Sequence, residues 1–275
     1  MLKLGGELID TDAARAHMAA LIAGVVGASR SGGDGLVVVH GGGKAIDVEL
    51  LRRGIAPKKV DGVRITDTDT LDAVIAVLAG SANTALVASL VGNGVKAVGL
   101  TGVDAGCGRA THAEPLAATS GAIVDLGLVG DPVDADPTLF HTLLAAGYVP
   151  VVACLGVDAD GVVLNVNADV MASRIAAAVG AAELVIAGTT AGVFDAGGRT
   201  IDALDTDGMD AMIASGAANA GMVAKLKACR TALDAGVGAV RIVDGRDLHT
   251  GTTLQRVLVA DGLQPVGRQQ KGFMQ

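Results

Sequence analysis

Five runs of β-branched residues, "GLVVVHGGG", "VKAVGLTG", "YVPVVACLG", "AELVIAGTT" and "GAVRIVDG", end at glycines or short polar turns. Their apolar character is nearly continuous instead of alternating, the mark of strands covered on both faces. Between them lie Ala- and Leu-rich stretches with helical spacing: Ala13 to Gly27, Ala45 to Arg53, Asp69 to Gly92, Asp169 to Gly180 and Val223 to Gly236. Such strands and helices in alternation predict an α/β fold, a three-layer αβα sandwich around a mainly parallel sheet. Short alternating segments in "RATHAEPLAATSGAIVDLGLVGDPVDADP" predict β decoration on one lobe. The run "VVLNVNADVMASRIAAAVGAAELV" is expected to carry one long helix from a first lobe, residues 1–180, toward a second, residues 181–275.

Composition narrows the function classes. Aromatic residues make up only 1% of the chain, with no Trp, so base-stacking surfaces for nucleic acid are not expected. A formal net charge of −8 also opposes a general polyanion-binding role, so a bound phosphate needs a local site. The first residues, "MLKLGGELIDTD", contain no signal-type apolar segment, and no apolar run reaches the roughly 18 uninterrupted residues of a membrane span. A cytoplasmic location without membrane contact is the expectation. Cys107, Cys154 and Cys229 lie far apart without a His cluster, which predicts reduced thiols and no protein-held metal.

Ligands of open α/β sheets sit beyond the carboxyl ends of the strands, so the loops there carry the chemistry. In "KLGGE", Lys3 precedes Gly5 and Gly6, which give an anion room beside backbone N–H groups; a plain glycine turn with a solvated lysine is the alternative. In "VVVHGGGKAID", Gly41, Gly42 and Gly43 end a strand and start a helix, where amides bind anions. Ala45 stands where a Walker loop has Ser or Thr, and Ile46 where a dinucleotide fingerprint has its third glycine. In "VDGVRITD", Arg64 offers a fork that matches a carboxylate, unless it is a solvated surface arginine. "NVNAD" sets Asn165, Asn167 and Asp169 before a helix, which Asp169 could simply cap. In "AGMVAKLKAC", Gly221 opens a helix and Lys225 follows one turn in. Lys3 and Lys225 together would neutralise a transferring phosphoryl group from two sides, with Asp169 orienting them. His40 is expected to be a structural hydrogen-bonding residue.

This ordered set, extending through "AVLAGSANTALV", "DLGLVGDP" and "IVDGR", resembles the amino acid kinase family over nearly the whole chain. The resemblance implies MgATP-dependent phosphorylation of the side-chain carboxylate of an N-blocked acidic amino acid, N-acetyl-L-glutamate, as in early arginine synthesis. It assigns Lys3, Lys225 and Asp169 to catalysis, and Gly41, Gly42, Gly43, Arg64 and Asn165 to the amino acid, Arg64 taking the α-carboxylate. Gly5, Gly6, Thr189, Gly192 and Gly221 fall to the nucleotide, which carries the magnesium. A homodimer formed by the first lobe is implied. Members inhibited by arginine carry an N-terminal helix that joins dimers into hexamers; with only Met1 and Leu2 before Lys3, a dimer without arginine feedback is expected.

Three departures stand out. The family segment "L-T-D-V-x-G-V" reads "AGTTAGV" here, Ala220 replaces the first glycine of a Gly-Gly-Met motif, and "GRQQKGFMQ" is unlike the family ending. Thr189 and Ala220 keep open a non-catalytic amino-acid sensor, and Arg64 and Asn165, which suit both substrates, keep open a kinase of a carrier-linked aminoadipate or glutamate.

Overall fold

The computed structural model describes residues 1–29, 35–133 and 135–257. Eight strands form one sheet in the order Ala203–Asp205, Gly251–Gln255, Ala239–Asp244, Glu183–Gly188, Leu2–Leu4, Val38–His40, Val149–Ala153 and Ala97–Thr101. All neighbours run parallel except Ala239–Asp244 and Gly251–Gln255. The three-residue strand Leu2–Leu4 lies inside the sheet, with Lys3 between Ile186 and Val39. Because side chains alternate along a strand, Leu2 and Leu4 point to one face and Lys3 to the other.

Each face has its own core. Leu2, Leu4, Val38 and Val151 pack under helices Asp12–Ser29 and Asn83–Gly92 through Met18, Ile22, Leu86 and Leu90. On the opposite face Val39, Val152, Ile186 and Ile242 meet Ile46, Leu50, Met171, Ile175, Leu226 and Leu233. These helices therefore sandwich the sheet, and the scarcity of aromatics is met by branched aliphatics, each worth about 1.5–3 kcal/mol when fully buried. Phe140 is the one aromatic among the largest fully buried side chains of the described residues.

Thr68–Gly92 is helical throughout and long and apolar enough, by length and composition only, to cross a membrane, although Asp69, Asp72, Ser81, Asn83 and Thr84 interrupt its apolar run. Its residues Val74, Val77, Leu78, Leu86 and Leu90 are buried in the two cores of this protein. Asp67 caps it by accepting the Thr70 N–H at 2.9 Å, and Ala76–Ala82 forms a π-helical segment within it.

The middle of the chain holds more β structure than decoration. Leu155–Val157, Val163–Val166, Val129–Pro132 and Ala110–His112 make a four-stranded sheet, joined by hairpins Lys59–Val60/Val63–Arg64 and Leu116–Ala117/Ile123–Val124. The expected single long helix near residue 170 is corrected to strand, helix and strand: Val163–Val166, Ala168–Ala178 and Glu183–Gly188. Val163–Val166 pairs on both sides, and Gly180 takes φ +64°, a left-handed stop after the helix. "GRQQKGFMQ" lies outside the described residues.

Candidate active site

Lys3, Asp169 and Lys225 converge from three elements. Lys3 projects from the sheet face that carries helices Ala168–Ala178 and Ala220–Asp234, which pack on each other. The cap of Ala168–Ala178 is Asn167, not Asp169: its side chain accepts from the N–H groups of Asp169 at 2.8 Å and Val170 at 3.2 Å. That correction frees the Asp169 carboxylate. Its Oδ1 lies 2.8 Å from Lys3 Nζ as an ion pair, and its Oδ2 accepts from Lys225 Nζ at 3.2 Å. The Lys3 and Asp169 side chains are each 7% exposed, whereas Lys225 is 25% exposed and reaches solvent. Burial pushes the Asp169 pKa up, but the two ammonium groups outweigh it and hold the carboxyl below its ordinary value. The result is a fixed carboxylate between two cations, one of which faces outward.

The triple glycine closes one side of a neighbouring cavity. Gly41 donates its N–H to Leu4 O at 3.1 Å, continuing the strand pairing, and Gly42 is the N-terminal cap residue of helix Gly43–Arg52 without a side-chain cap bond. The first bond within that helix runs from Ile46 N–H to Gly42 O, so the earlier amides of its first turn are left facing outward. Gly41, Gly42 and Gly43 line a cavity of about 210 Å³ together with Arg64, Asn165 and Cys154. Arg64 and Asn165 also line a larger adjoining cavity of about 400 Å³, walled by Leu116, Leu126 and Val129 and bordered by Lys227 of helix Ala220–Asp234.

Arg64 is buried. Its Nη2 donates to Gly43 O at 3.0 Å and pairs with Asp47 Oδ1 at 2.6 Å, while Nη1 is buried without a hydrogen-bond partner. Burial would raise the Asp47 pKa, but the bonds from Lys59 and Arg64 bring it below the usual carboxylate range. The solvated-surface reading of Arg64 is thereby excluded. Asn165 donates from Nδ2 to Thr66 Oγ1 at 3.1 Å, leaving its amide beside the cavity. Above them the Asp61–Gly62 turn has both residues at positive φ, 47° and 83°, as a two-residue hairpin of this kind requires. Asp61 accepts from the Thr119 N–H and hydroxyl, both at 2.8 Å, and so ties the two hairpins together.

The glycines expected at the nucleotide divide into different tasks. Gly5 spends its N–H on Ala187 O at 2.9 Å, so it is not the free phosphate donor the sequence suggested. Gly6 allows close packing: a Cβ there would lie 2.8 Å from the Gly42 Cα. Gly192 has φ +103° and lies against Thr252, where a Cβ would come within 2.6 Å of Oγ1. Thr189 is exposed directly after strand Glu183–Gly188. The downstream helix begins at Ala220 with Asn219 as its cap, one residue before the expected Gly221. None of these residues lines either cavity.

Asp47, Thr66 and Glu7 were not singled out in the sequence, and Asn83 stood there only within a family motif. Asp47 sits on helix Gly43–Arg52 and its partner Arg64 in a separate strand, so no spacing rule along the chain links the two. Glu7 places its carboxylate over Gly5 and near Gly188, close enough that a Cβ at Gly188 would be 3.6 Å from Oε1. His40 is fully buried and bonded as expected, and burial lowers its pKa despite the bond to Gly41. Cys107, Cys154 and Cys229 are buried and free, and burial pushes the Cys154 thiol up to about 12.

The family model for the "Amino acid kinase family" matches residues 1–244. A protein named acetylglutamate kinase from Solibacter usitatus is 41% identical over 261 residues, covering 95% of both chains. The crystal structure of smu.665 from Streptococcus mutans UA159 superposes with a TM-score of 0.77 at 26% identity, covering 92% of this chain and 97% of that one. The isopentenyl phosphate kinase of T. acidophilum shares the fold, with a TM-score of 0.57 at 15% identity over 92% of this chain and 98% of that one. With this match along most of its length, and with two lysines and an aspartate gathered beside a glycine-lined cavity, the chain belongs to the amino acid kinase family.

Proposed function

We propose that this kinase transfers the γ-phosphoryl group of MgATP to the side-chain carboxylate of N-acetyl-L-glutamate, giving an acyl phosphate and ADP. The observation that carries this reading is the Lys3–Asp169–Lys225 array next to a cavity lined by a buried arginine, Arg64, whose Nη1 has no hydrogen-bond partner. The 41% identity to a protein named acetylglutamate kinase supports the choice of substrate.

The acceptor carboxylate is already a deprotonated nucleophile, so no general base is needed. One carboxylate oxygen bonds to the γ-phosphorus as the bond to the bridging β–γ oxygen breaks, and ADP leaves with that electron pair. The obstacle is repulsion between two anions and their alignment. Lys3 and Lys225 supply positive charge, Asp169 fixes them, and the amides after Gly42 add dipoles directed at the acceptor end. Arg64 takes the α-carboxylate and Asn165 the blocked amino group. Among the described residues no group of three His, Cys, Asp or Glu side chains stands together to hold a metal, and the magnesium is assigned to the nucleotide phosphates.

In this reading residues 1–180 hold the amino acid and residues 181–275 the nucleotide, with Thr189, Gly192 and Gly221 on the nucleotide side. Among the described residues strand Ala97–Thr101 ends the sheet with one edge unpaired, and Val91 of the adjacent helix is 55% exposed, which supports a homodimer through this side.

Arg64→Ala is expected to raise KM for the amino acid by about 10–100-fold, with a smaller change in kcat, because the group it holds does not react. Initial rates at saturating ATP check this, and an effect confined to the KM for ATP contradicts the role. Thr189→Asp is expected to tighten ATP by about 1 kcal/mol, since a carboxylate accepts two hydrogen bonds where the hydroxyl is neutral. Titration calorimetry with a non-hydrolysable ATP analogue measures it; unchanged or weaker binding means that the loop does not meet the nucleotide. The substrate is tested by ADP release with N-acetyl-L-glutamate, glutamate, N-acetylaspartate and carrier-linked aminoadipate or glutamate. The highest kcat/KM is expected for N-acetyl-L-glutamate, and a carrier-linked substrate that outperforms it overturns the assignment.

A further inference from the structure

The amide pair that opens the triple-glycine loop is held from behind by two buried polar side chains. His40 is the last residue of strand Val38–His40 and is fully buried; Asn83, 5% exposed, follows the π-helical segment directly. Asn83 Nδ2 donates to Val151 O at 2.9 Å and lies 3.0 Å from His40 Nε2. Because a carbonyl oxygen can only accept, the contact with Val151 fixes which end of the amide faces His40. The amide nitrogen is a donor, so Nε2 must accept, and the imidazole proton belongs on Nδ1. Nδ1 lies 3.0 Å from Gly41 O and donates to it. Gly99, in the neighbouring edge strand, leaves room for the Asn83 amide oxygen, which a side chain there would strike.

The consequence follows from peptide geometry. Gly41 C=O and Gly42 N–H belong to one planar trans unit and point in opposite directions. A carbonyl pinned inward on His40 therefore turns the Gly42 N–H outward, toward the cavity that Gly41 and Gly42 line. A peptide between two glycines has no Cβ on either side to resist rotation, so it needs such an anchor. Leu78, from the π-helical segment, packs against Gly42 and supports the loop from the same helix: a Cβ on Gly42 would lie 2.8 Å from Leu78 Cδ2. We propose that Asn83 and His40 are positioning residues that lock the Gly41–Gly42 peptide with its N–H directed at the acceptor end of the substrate cavity. The proposal rests on the kinase reading for its catalytic consequence, but the lock itself can be read without turnover.

Two measurements test it. In the ¹⁵N-histidine-labelled full chain without ligands, His40 should show a protonated Nδ1 and an unprotonated Nε2, and the opposite tautomer overturns the proposal whatever the enzyme phosphorylates. In kinetics, Asn83→Leu should lower kcat by about 10–100-fold at a temperature where the variant is fully folded by circular dichroism, as expected when one preorganised donor loses its aim. The affinity for N-acetyl-L-glutamate, measured by calorimetry, should change by less than that factor. His40→Asn keeps an amide N–H near the Nδ1 position and should retain more kcat than His40→Leu. Wild-type kcat in folded Asn83→Leu, or equal losses in the two His40 variants, overturns the positioning role. A wild-type chain that shows the expected tautomer yet phosphorylates no amino acid refutes the kinase reading and leaves the lock standing.

Discussion

Lys225→Ala is expected to lower kcat and kcat/KM together by about 10²–10³-fold, because it removes a charge that matters most when the phosphoryl group is between donor and acceptor. Lys225 is the one of the two lysines that reaches solvent, with a 25% exposed side chain, and its 3.2 Å bond to Asp169 is the longer of the two contacts. Lys3 remains 2.8 Å from Asp169 after the substitution, so the buried carboxylate keeps a counter-charge. The stability cost should accordingly be no more than about 1 kcal/mol, in the range of partly exposed ion pairs. Steady-state rates and a thermal melt separate the two effects. A turnover near that of the parent chain removes Lys225 from the reaction.

Asp169→Asn should damage both stability and turnover. The substitution keeps the volume but leaves Lys3, 7% exposed, without its counter-charge in a site walled by Cys154 and Cys229. Breaking a buried pair in this way costs about 3–5 kcal/mol. The pH dependence carries the sign of the shift. Asp169 lies below its ordinary pKa of 3.8 when folded, so its stabilisation is complete above that value and is lost as pH falls through the lower folded value. The stability difference between parent and Asp169→Asn, measured by urea unfolding, should be flat from neutral pH down to about 4 and shrink below it. A difference that shrinks at neutral pH instead would mean that Asp169 is not held as a carboxylate by the two lysines.

Most of this site was legible because the residues concerned sit at places where sequence pattern and topology coincide. Lys3 inside an apolar strand and three glycines between a strand and a helix fall where parallel sheets put their ligands, and Arg64 after an Asp-Gly turn is carried there by an antiparallel hairpin. What stayed hidden depended on side-chain hydrogen bonds. "NVNAD" offered two capping residues, and nothing in the spacing shows that Asn167 takes the cap while Asp169 turns inward. The single long helix failed at its start, because "VVLNV" is apolar in any conformation and only pairing with Val129–Pro132 makes it a strand, whereas "AELVI" also reads as a strand run and is one. Gly5 could not be judged either, since the occupant of its N–H, Ala187, lies in a distant strand. Asn83 was read only as part of a family motif, and its partners His40 and Val151 are 43 and 68 residues away.

The central claim is phosphoryl transfer to a carboxylate, and trapping the product tests it most directly. The chain is incubated with MgATP, N-acetyl-L-glutamate and hydroxylamine, which converts an acyl phosphate into a stable hydroxamate. The account predicts N-acetylglutamyl hydroxamate formed in step with ADP, one for one, and suppressed together with ADP in Lys225→Ala. ADP release without hydroxamate, or no ADP release from the parent chain, would contradict it.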